Sequence, residues 1–298
     1  MSCPDRKATA STRYPIAPLN WSLITASNND SVLQSCLARS PCVSRATDFQ
    51  VMRGFASAGA AYNAGIRHST GDILVFAHQD VYLPDGWEDC LAQAITRLSA
   101  LDPDWAVLGV WGITVEAKPA GYSYCTGLQK VLGRPFEKPI PCISLDEALV
   151  VLRRSAELCF DEKLPAFHLY GTDICLAARQ RGMKSYLISA FCIHNTAGLT
   201  ALPWAFWPAY FYMRHKWWRR LPVMTPCSKV ERWPFSLLKQ TLVNWYLHQI
   251  KRNEVGQRVS DPQGLYQQLL QAGKVAIPER GETCPLAPKS RRAEDNLV

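Results

Sequence analysis

A run of five apolar residues, Ile73 to Ala77 (ILVFA), constrains the fold more than any other segment. The turn Thr70-Gly71-Asp72 precedes this run, and the polar triplet His78-Gln79-Asp80 follows it at once. An unbroken apolar run of this length is typical of a parallel strand buried on both faces, and helices must cover such a sheet. The segment therefore predicts an α/β fold that presents polar residues at the carboxyl end of a central strand.

Strand-like and helix-like patterns alternate around this run. The predicted strands are 21–26, 73–77, 105–110 and 148–153, and the predicted helices are 31–39, 59–69, 87–99 and 172–181. This rhythm predicts a mainly parallel sheet with crossover helices. Residues 113–145 are rich in Gly, Pro and Tyr and indicate loops or short antiparallel strands. Ligands of such sheets bind beyond the carboxyl ends of strands, where Asn28 and Asp80 fall.

Composition sets the broad class of the protein. The chain has 298 residues, of which 48% are hydrophobic and 19% are charged, enough for one large α/β domain with an extension. We expect an arm at 1–19, the main domain at 20–200, a helical extension at 201–280 and a disordered tail at 281–298. The net charge of +8 fits either a nucleic-acid binder or a protein with anionic nucleotide or membrane-bound substrates.

Cysteine usage and the apolar segments indicate the cellular compartment in which the protein is expected. The eleven cysteines form no CxxC pair, and several stand singly in apolar runs, as Cys90, Cys159, Cys175 and Cys192 do. This usage is typical of buried, reduced thiols and favours the cytoplasm. The first residues lack the apolar core of a signal peptide. Residues 185–213 contain no Asp, Glu, Lys or Arg, but prolines and polar residues interrupt them, so no transmembrane helix is predicted.

Asp80 is the first candidate for chemistry, because it stands directly after a buried strand with His78 and Gln79 beside it. A carboxylate at this edge of a sheet is well placed to hold Mg²⁺ or Mn²⁺ against a diphosphate. The competing interpretation is an Asp that caps the turn before Pro84-Asp85-Gly86. Position alone does not decide between them.

Asp173 and His194 likewise each allow a structural and a functional interpretation. Asp173 opens a helix, where it either interacts with the helix dipole or acts as a general base among aromatic neighbours that would raise its pKa. His194 ends an apolar run, where a lone histidine is more often a satisfied core residue than a ligand. The functional alternative is a neutral imidazole that joins Asp80 on the metal.

Two polar clusters complete the candidates. Asp146 and Glu147 precede a predicted strand and either contact sugar hydroxyls or form a solvated turn. Asn28, Asn29 and Asp30 either read a nucleobase or ribose or cap the next helix. The sequence lacks GxxxxGK[ST], GxSxG and HExxH, and no GxGxxG follows a strand, which argues against the enzyme classes that use these motifs.

Two segments carry a resemblance to a known family: GAAYNAGIRHSTGDILVFAHQDVYLPDGW at 59–87 and FDEKLPAFHLYGTDICLAARQRGMKSYLISAFCIHNT at 160–196. Together they resemble the family 2 glycosyltransferases of the GT-A fold, in a bacterial family 2-like branch. Members carry a small-residue helix, an apolar strand and a DxD-type motif. Those places are taken here by Asn63, Gly65, Gly71, Asp72 and Asp80.

The resemblance covers roughly residues 21 to 196. It implies a Rossmann-like, mainly parallel sheet flanked by helices, and inverting transfer of a sugar from a nucleotide-sugar to a hydroxyl acceptor. Asp173 is then the base, and Asp80 and His194 lie near a Mn²⁺ or Mg²⁺ ion. The donor is expected at Ala26, Ser27, Asn28, Asn29, Asp48, Asn63 and Gln79, and the acceptor or sugar at Trp111, Asp146, Glu147 and Tyr170.

The sequence departs from the family pattern in two places. His78 replaces the first Asp of DxD, which gives an HxD motif and makes His78 a third candidate ligand. The cluster 27–30 replaces the usual acidic residue after the first strand. The nucleotide therefore stays open, with UDP as the default and GDP or dTDP as alternatives. The acceptor is expected to be a glycan or a lipid-linked molecule, and no nucleic acid is expected.

The aromatic and basic segment 204–220 has two interpretations of equal weight. Trp207, Tyr210, Phe211, Arg214, Trp217 and Trp218 fall near one face of a predicted helix. Such a helix either lies on an anionic membrane, on its inner face, or packs its rings onto the main domain.

Two other functions compete with transfer of a sugar into surface polysaccharide or glycoconjugate. A sugar-phosphate nucleotidyltransferase requires a Gly/Arg-rich phosphate loop after the first strand, where TASNND stands instead. A non-catalytic protein that binds nucleotide-sugars or glycans is the third reading, and the presence of both Asp80 and Asp173 argues against it.

Overall fold

The structure is a computed structural model that describes residues 19–197, 202–249 and 256–276. Of the predicted arm at 1–19 only Leu19 is described, and the predicted tail at 281–298 lies outside the described residues. The described part is an α/β body followed by helices. The predicted α/β class, with a central sheet flanked by helices, is confirmed.

The strands and helices have the following bounds. The strands are β1 Trp21–Ser27, β2 Asp48–Arg53, β3 Ile73–Ala77, β4 Val81–Tyr82, β5 Trp105–Gly109, β6 Trp111–Thr114, β7 Pro119–Cys125, β8 Lys130–Gly133, β9 Ile140–Leu145, β10 Leu149–Arg153, β11 Lys184–Leu187, β12 Ile193–His194, β13 Val223–Met224 and β14 Lys229–Val230. The helices are α1 Asp30–Ser35, α2 Ala58–His68, α3 Trp87–Leu101, α4 Tyr170–Gln180, α5 Phe206–Lys216, α6 Phe235–Gln249 and α7 Pro262–Gln271.

The central sheet combines parallel and antiparallel pairs. Within the described residues its order is β2-β1-β3-β10-β5-β11-β9-β6-β7-β12-β4, with β8 paired to β7. Strands β2, β1 and β3 are parallel, as the alternation predicts. Strand β10 then runs antiparallel between β3 and β5. The segment 113–145 contains the predicted short antiparallel strands, β6 to β9.

Alternating side chains of the central strands build a core on each face of the sheet. Leu74 and Phe76 of β3 belong to the cluster that holds Tyr62 of α2 and Ile174 of α4. Val75 belongs to the opposite cluster, with residues of α1 and α3. Burial of one such side chain contributes about 1.5–3 kcal/mol. The sheet is thus covered on both faces, which explains why β3 is apolar at every position.

The environments of the cysteines follow the local backbone. Cys90, Cys175 and Cys192 are buried, in line with the prediction, whereas Cys159 is exposed. Residues 157–160 alternate between exposed and buried positions, and Cys159 falls on the outer side, with Leu158 and Phe160 turned inward. The prediction that Cys159 is buried was therefore wrong, because its neighbours and not its own side chain fill the core.

Helix α5 divides the aromatic residues that were predicted to share one face. Tyr210 and Trp217 are 0% and 6% exposed and pack in the core, whereas Phe211 and Trp218 are exposed. The helix ends at Lys216, and a 3-10 turn at Trp218–Arg220 changes the direction of the last ring. One side of this segment therefore packs onto the body, and the other side is exposed. Within the described residues no helix is long and apolar enough to cross a bilayer.

Replacement of a leucine in β10 tests the core. Leu152 is 1% exposed and lies between Leu74 of β3 and Val107 of β5. We expect Leu152→Ala to lower the free energy of unfolding by about 2–5 kcal/mol, because it leaves a cavity. The matched control is Leu101→Ala, since Leu101 is 71% exposed, and a change within about 0.5 kcal/mol is expected there. Urea denaturation measures both, and equal effects would contradict this assignment of the core.

Candidate functional site

The end of β3 and the end of β12 bring three metal-ligating side chains together. The backbone N–H of His78 donates to the carbonyl of Ala148 (3.0 Å), and a tight turn leads to Asp80. His194 pairs with Val81 of β4 in an antiparallel bridge. As a result, ligand atoms of His78, Asp80 and His194 all lie within 4.8 Å of one another. His78 and His194 are 116 positions apart in the sequence, and the β4–β12 pairing brings them together.

A tyrosine hydroxyl fixes the orientation of His78. Nε2 of His78 lies 2.9 Å from the hydroxyl of Tyr170, which donates its own proton to the carbonyl of Glu147 at 2.7 Å. Because a phenol has one proton, Nε2 of His78 is the donor in their contact, and its lone pair lies on Nδ1. Burial, and then the nearby His194, lower the pKa of His78 to about 4. His78 is therefore a neutral imidazole with Nδ1 free to bind a cation.

Asp80 is held as a carboxylate. Its Oδ1 lies 3.5 Å from Nε2 of His194, and its Oδ2 accepts from Arg258 at 2.9 Å. Burial alone would raise the pKa of Asp80, but the hydrogen bond and charge of His194 and the hydrogen bond from Arg258 bring it below its ordinary value. Burial likewise opposes the charge on His194, whose pKa is nevertheless raised by its contact with Asp80.

These three side chains, called the metal group below, could hold a divalent cation. The donor set is one carboxylate oxygen and two imidazole nitrogens, which suits Mn²⁺ and other first-row metals. A bound cation would take the place of the proton that His194 shares with Asp80. The predicted cofactor thus has a fitting set of ligands at the predicted residues.

A segment near the C-terminus closes over this group. Asn195 and Val259 exchange two hydrogen bonds, from Nδ2 of Asn195 to the carbonyl of Val259 (2.9 Å) and from the N–H of Val259 to Oδ1 of Asn195 (2.8 Å). This pairing sets Arg258 against Asp80. The sequence analysis missed Arg258, because nothing in a lone arginine 178 positions from Asp80 indicates their contact.

A cavity of about 340 Å³ opens beside the metal group, at the carboxyl ends of β1 and β3. Four of the predicted donor residues line it, together with two of the predicted ligands: Ala26, Ser27, Asn28, Gln79, His78 and Asp80. Its remaining wall was not predicted and consists of Met52, Gly54, Phe55, Tyr62 and Phe167. The first group was found because polar residues follow recognisable strands, whereas the second comes from elements whose residues carry no distinctive pattern.

Gln79 fixes the shape of this cavity. Its Oε1 accepts from the hydroxyl of Ser27 (2.8 Å) and from the N–H groups of Asn28 (3.2 Å) and Asn29 (3.0 Å). Its Nε2 donates to Oδ1 of Asn28 at 2.7 Å. The side chain of Asn29 caps α1 through the N–H of Val32. Gln79 therefore holds the loop after β1, and Asn29 has the capping role weighed in the sequence.

Three of the predicted donor residues do not line this cavity: Asn29, whose side chain caps α1, and also Asp48 and Asn63. Asp48 begins β2 and pairs in register with Ser22 at the start of β1, so it lies at the amino end of these parallel strands. Its carboxylate accepts from Ser22 and Thr70. Asn63 is 8% exposed and bonds to the backbone of Phe160, which joins α2 to the segment before α4. The amino ends of parallel strands lie on one side of the sheet and their carboxyl ends on the other, and this separates Asp48 from Asn28.

A second cavity, of about 410 Å³, lies on another side of the metal group. His194 lines it together with Trp111 and Asp146, two of the predicted acceptor residues. The metal group thus borders both cavities, since His78 and Asp80 line the first and His194 lines the second. Glu147 and Tyr170 line neither cavity and lie behind His78. Burial, and then the charge of Asp146, raise the pKa of Glu147 to about 8.

Asp173 is 3% exposed and lines neither of the two cavities. Its Oδ1 accepts from the indole N–H of Trp217 (2.7 Å), and Lys216 forms an ion pair with the carboxylate at 2.7 Å. Burial raises the pKa of Asp173 above its ordinary value, although Lys216 and Trp217 oppose the shift. The sequence analysis expected a raised pKa for Asp173 as a base. It did not expect the ion pair with Lys216 at the end of α5. The base role of Asp173 stays a prediction.

Comparison with known proteins leaves the family open. No protein-family model matches the sequence. A curated protein of Fuscovulum blasticum described as "ATP synthase subunits region ORF 6" is 34% identical over 134 residues, which is 42% of this chain and 51% of that protein. The chain thus spans about half the length of this relative, and the likeness does not establish a family or an activity.

Several solved structures are similar over part of their length. GalNAc-T7 with UDP, GalNAc and Mn²⁺ gives a TM-score of 0.48 at 14% identity, over 68% of this chain and 49% of that chain. The mannosyltransferase PcManGT of Pyrobaculum calidifontis, with GDP-Man and Mn²⁺, gives 0.47 at 12% identity, over 92% and 81%. S. aureus TarS 1–349 gives 0.43 at 12% identity, over 66% and 65%. Because each TM-score is below 0.5, none of these likenesses decides the function.

Removal of the Tyr170 hydroxyl tests the metal group. We expect Tyr170→Phe to weaken Mn²⁺ binding by about 10–100-fold, because the imidazole of His78 loses the partner that orients it. Asp80→Ala should abolish binding. The matched control is Tyr186→Phe, which removes a buried hydroxyl bonded to Asp102, away from the metal group. Isothermal titration calorimetry measures the affinities, and unchanged binding by Tyr170→Phe would show that Tyr170 does not orient a ligand.

Proposed function

We propose that this protein is a glycosyltransferase that transfers a sugar from a nucleotide-sugar to a hydroxyl acceptor with the help of a divalent cation. The observation that carries this proposal is the metal group between two cavities, because a two-substrate transfer requires both substrates beside one centre. The resemblance of residues 59–87 and 160–196 to family 2 glycosyltransferases of the GT-A fold supports the same conclusion.

The first cavity suits the nucleotide-sugar. Ala26, Ser27 and Asn28, at the carboxyl end of β1, line it, and the side-chain amide of Asn28 can pair with a base or ribose. Phe55, Tyr62 and Phe167 give the cavity apolar surface for a flat ring. A cation at Asp80 would neutralise the diphosphate as its bond to the sugar breaks. UDP is the default nucleotide, and GDP and dTDP are the alternatives.

The second cavity suits the acceptor. In the proposed inverting reaction the acceptor oxygen forms a bond to the anomeric carbon of the sugar. The bond from that carbon to the diphosphate oxygen breaks, and its electron pair leaves with the nucleoside diphosphate. The proton of the acceptor hydroxyl passes to a carboxylate. The resemblance assigns this role to Asp173, whereas Asp146 is the carboxylate in the wall of the cavity. The products proposed are a surface polysaccharide or a glycoconjugate.

Binding and slow hydrolysis of nucleotide-sugars test the function. A panel of UDP-, GDP- and dTDP-sugars, with and without Mn²⁺, should contain at least one donor that binds at about 1 μM–1 mM, the usual range of KM. Asp80→Ala should lose the effect of Mn²⁺. The matched control is Asp104→Asn, because Asp104 is exposed and lies before β5, outside both cavities. A panel without any binding would overturn the proposal. Transfer of a nucleotide in place of a sugar would favour a nucleotidyltransferase.

A pair of variants identifies the base. Whichever carboxylate accepts the proton, its replacement by the amide should lower transfer by about 10²–10⁴-fold with donor binding retained. We expect this of Asp173→Asn if the resemblance holds, and of Asp146→Asn if the base lies in the cavity wall. Steady-state kinetics with the identified donor measure both. Full transfer by Asp173→Asn would remove Asp173 from the base role, since an amide cannot accept the proton.

A further inference from the structure

Helix α6 turns an apolar face away from the body. Five of its large side chains are between 46% and 70% exposed: Phe235, Leu238, Leu242, Trp245 and Tyr246. With 3.6 residues per turn these positions fall within one side of the helix. Leu237, on the opposite side, is 0% exposed. A contiguous apolar face of this kind is rare on a protein surface that meets only water.

Basic residues are concentrated in the part of the chain that contains α6. Between 202 and 249 the chain contains seven Lys and Arg and a single acidic residue, Glu231, which pairs with Lys229. Lys239 stands on the same side of α6 as Leu242 and is exposed, and Arg219 within the 3-10 turn is exposed as well. Exposed tryptophans flank the face at 218 and 233. Apolar side chains, tryptophans and Lys or Arg on one surface match the acyl chains, interface and headgroups of an anionic bilayer.

The opposite side of α6 borders the second cavity. Gln240 and Asn244 line it, and Gln240 is fixed by a hydrogen bond to the carbonyl of Cys227 at 2.9 Å. Most of the other wall is apolar, with residues such as Val110, Leu132 and Leu202, whereas Asp146 and His194 are its charged end. One cavity therefore joins the inner side of α6 to the metal group.

We propose that the outer face of α6 lies on a bilayer rich in anionic lipids and that the second cavity takes the sugar-bearing end of a lipid-linked acceptor. The docking of α6 on the bilayer depends only on the exposed face of this helix. The assignment of the acceptor rests on the proposed glycosyl transfer. A lipid-linked acceptor keeps its hydroxyl close to the headgroups. A protein that docks through α6 has its apolar cavity on the other side of that helix, within reach of such a molecule.

Vesicle co-sedimentation tests the surface. The full chain should bind vesicles of phosphatidylglycerol and phosphatidylcholine, and bind vesicles of phosphatidylcholine alone much less. The double variant Leu242→Asp/Trp245→Asp should lower the partition coefficient about tenfold or more. Each of Arg219→Gln and Lys239→Gln should lower it about fivefold, because one basic residue loses its attraction to the headgroups. Higher salt should weaken binding of the native protein.

The matched control is Leu101→Asp, because Leu101 is a highly exposed leucine on α3, away from α6. It should bind vesicles as the native protein does. Circular dichroism and thermal unfolding show whether the α6 double variant is folded. Equal binding of folded double variant and native protein would overturn the proposal. So would a native dimer that the double variant dissociates in sedimentation velocity, since α6 would then be an interface between copies.

Activity separates this proposal from the proposed function. Once a donor is identified, two rates are measured for the native protein and the α6 double variant: transfer to a lipid-linked sugar in vesicles and hydrolysis of the donor. The double variant should lower the rate of transfer at least tenfold more than it lowers the rate of hydrolysis. Equal transfer to this acceptor by native protein and double variant would overturn the assignment of the acceptor. If the protein binds vesicles but no nucleotide-sugar, the docking of α6 on a bilayer is supported and the proposed glycosyl transfer is overturned.

Discussion

The arrangement of the site depends on the hydrogen bonds of the Tyr170 hydroxyl. It bonds to Nε2 of His78, to the carbonyl of Glu147 and, at 3.3 Å, to the hydroxyl of Tyr62. These partners belong to the end of β3, the turn before β10 and helix α2, and Tyr170 itself begins α4. A single buried group therefore sets the positions of four segments, and it also determines which nitrogen of His78 is available as a ligand.

The electrostatics of the site follow from the histidine in the HxD motif. A neutral imidazole in place of a carboxylate leaves Asp80 as the one anionic ligand among the three. A divalent cation bound there would keep a net positive charge, and Arg258 adds another beside it. An excess of positive charge suits a diphosphate, whose leaving oxygen becomes more negative as the bond to the sugar breaks.

The two cavities connect the chemistry to the rest of the molecule. In the first, hydrogen bonds to Gln79 hold the loop after β1 in place. The second is mostly apolar and ends at α6, a helix that turns Gln240 and Asn244 toward the cavity and five large apolar side chains outward. This exposed apolar face is the reason to look for an apolar partner outside the chain.

The sequence by itself determined the class of the fold, the exact extent of β3 and the group of polar residues after it, because a strand buried on both faces needs an unbroken apolar run. It also indicated His194 and Asp146, but it could not say that they lie at one centre. The tertiary structure decided that the antiparallel β10 lies between β3 and β5, and that Asp48 stands at the opposite edge from Asn28. It also paired Asp173 with Lys216 and Arg258 with Asp80. Such contacts join residues 43 to 178 positions apart. They depend on packing and strand order, which no local pattern of residues records.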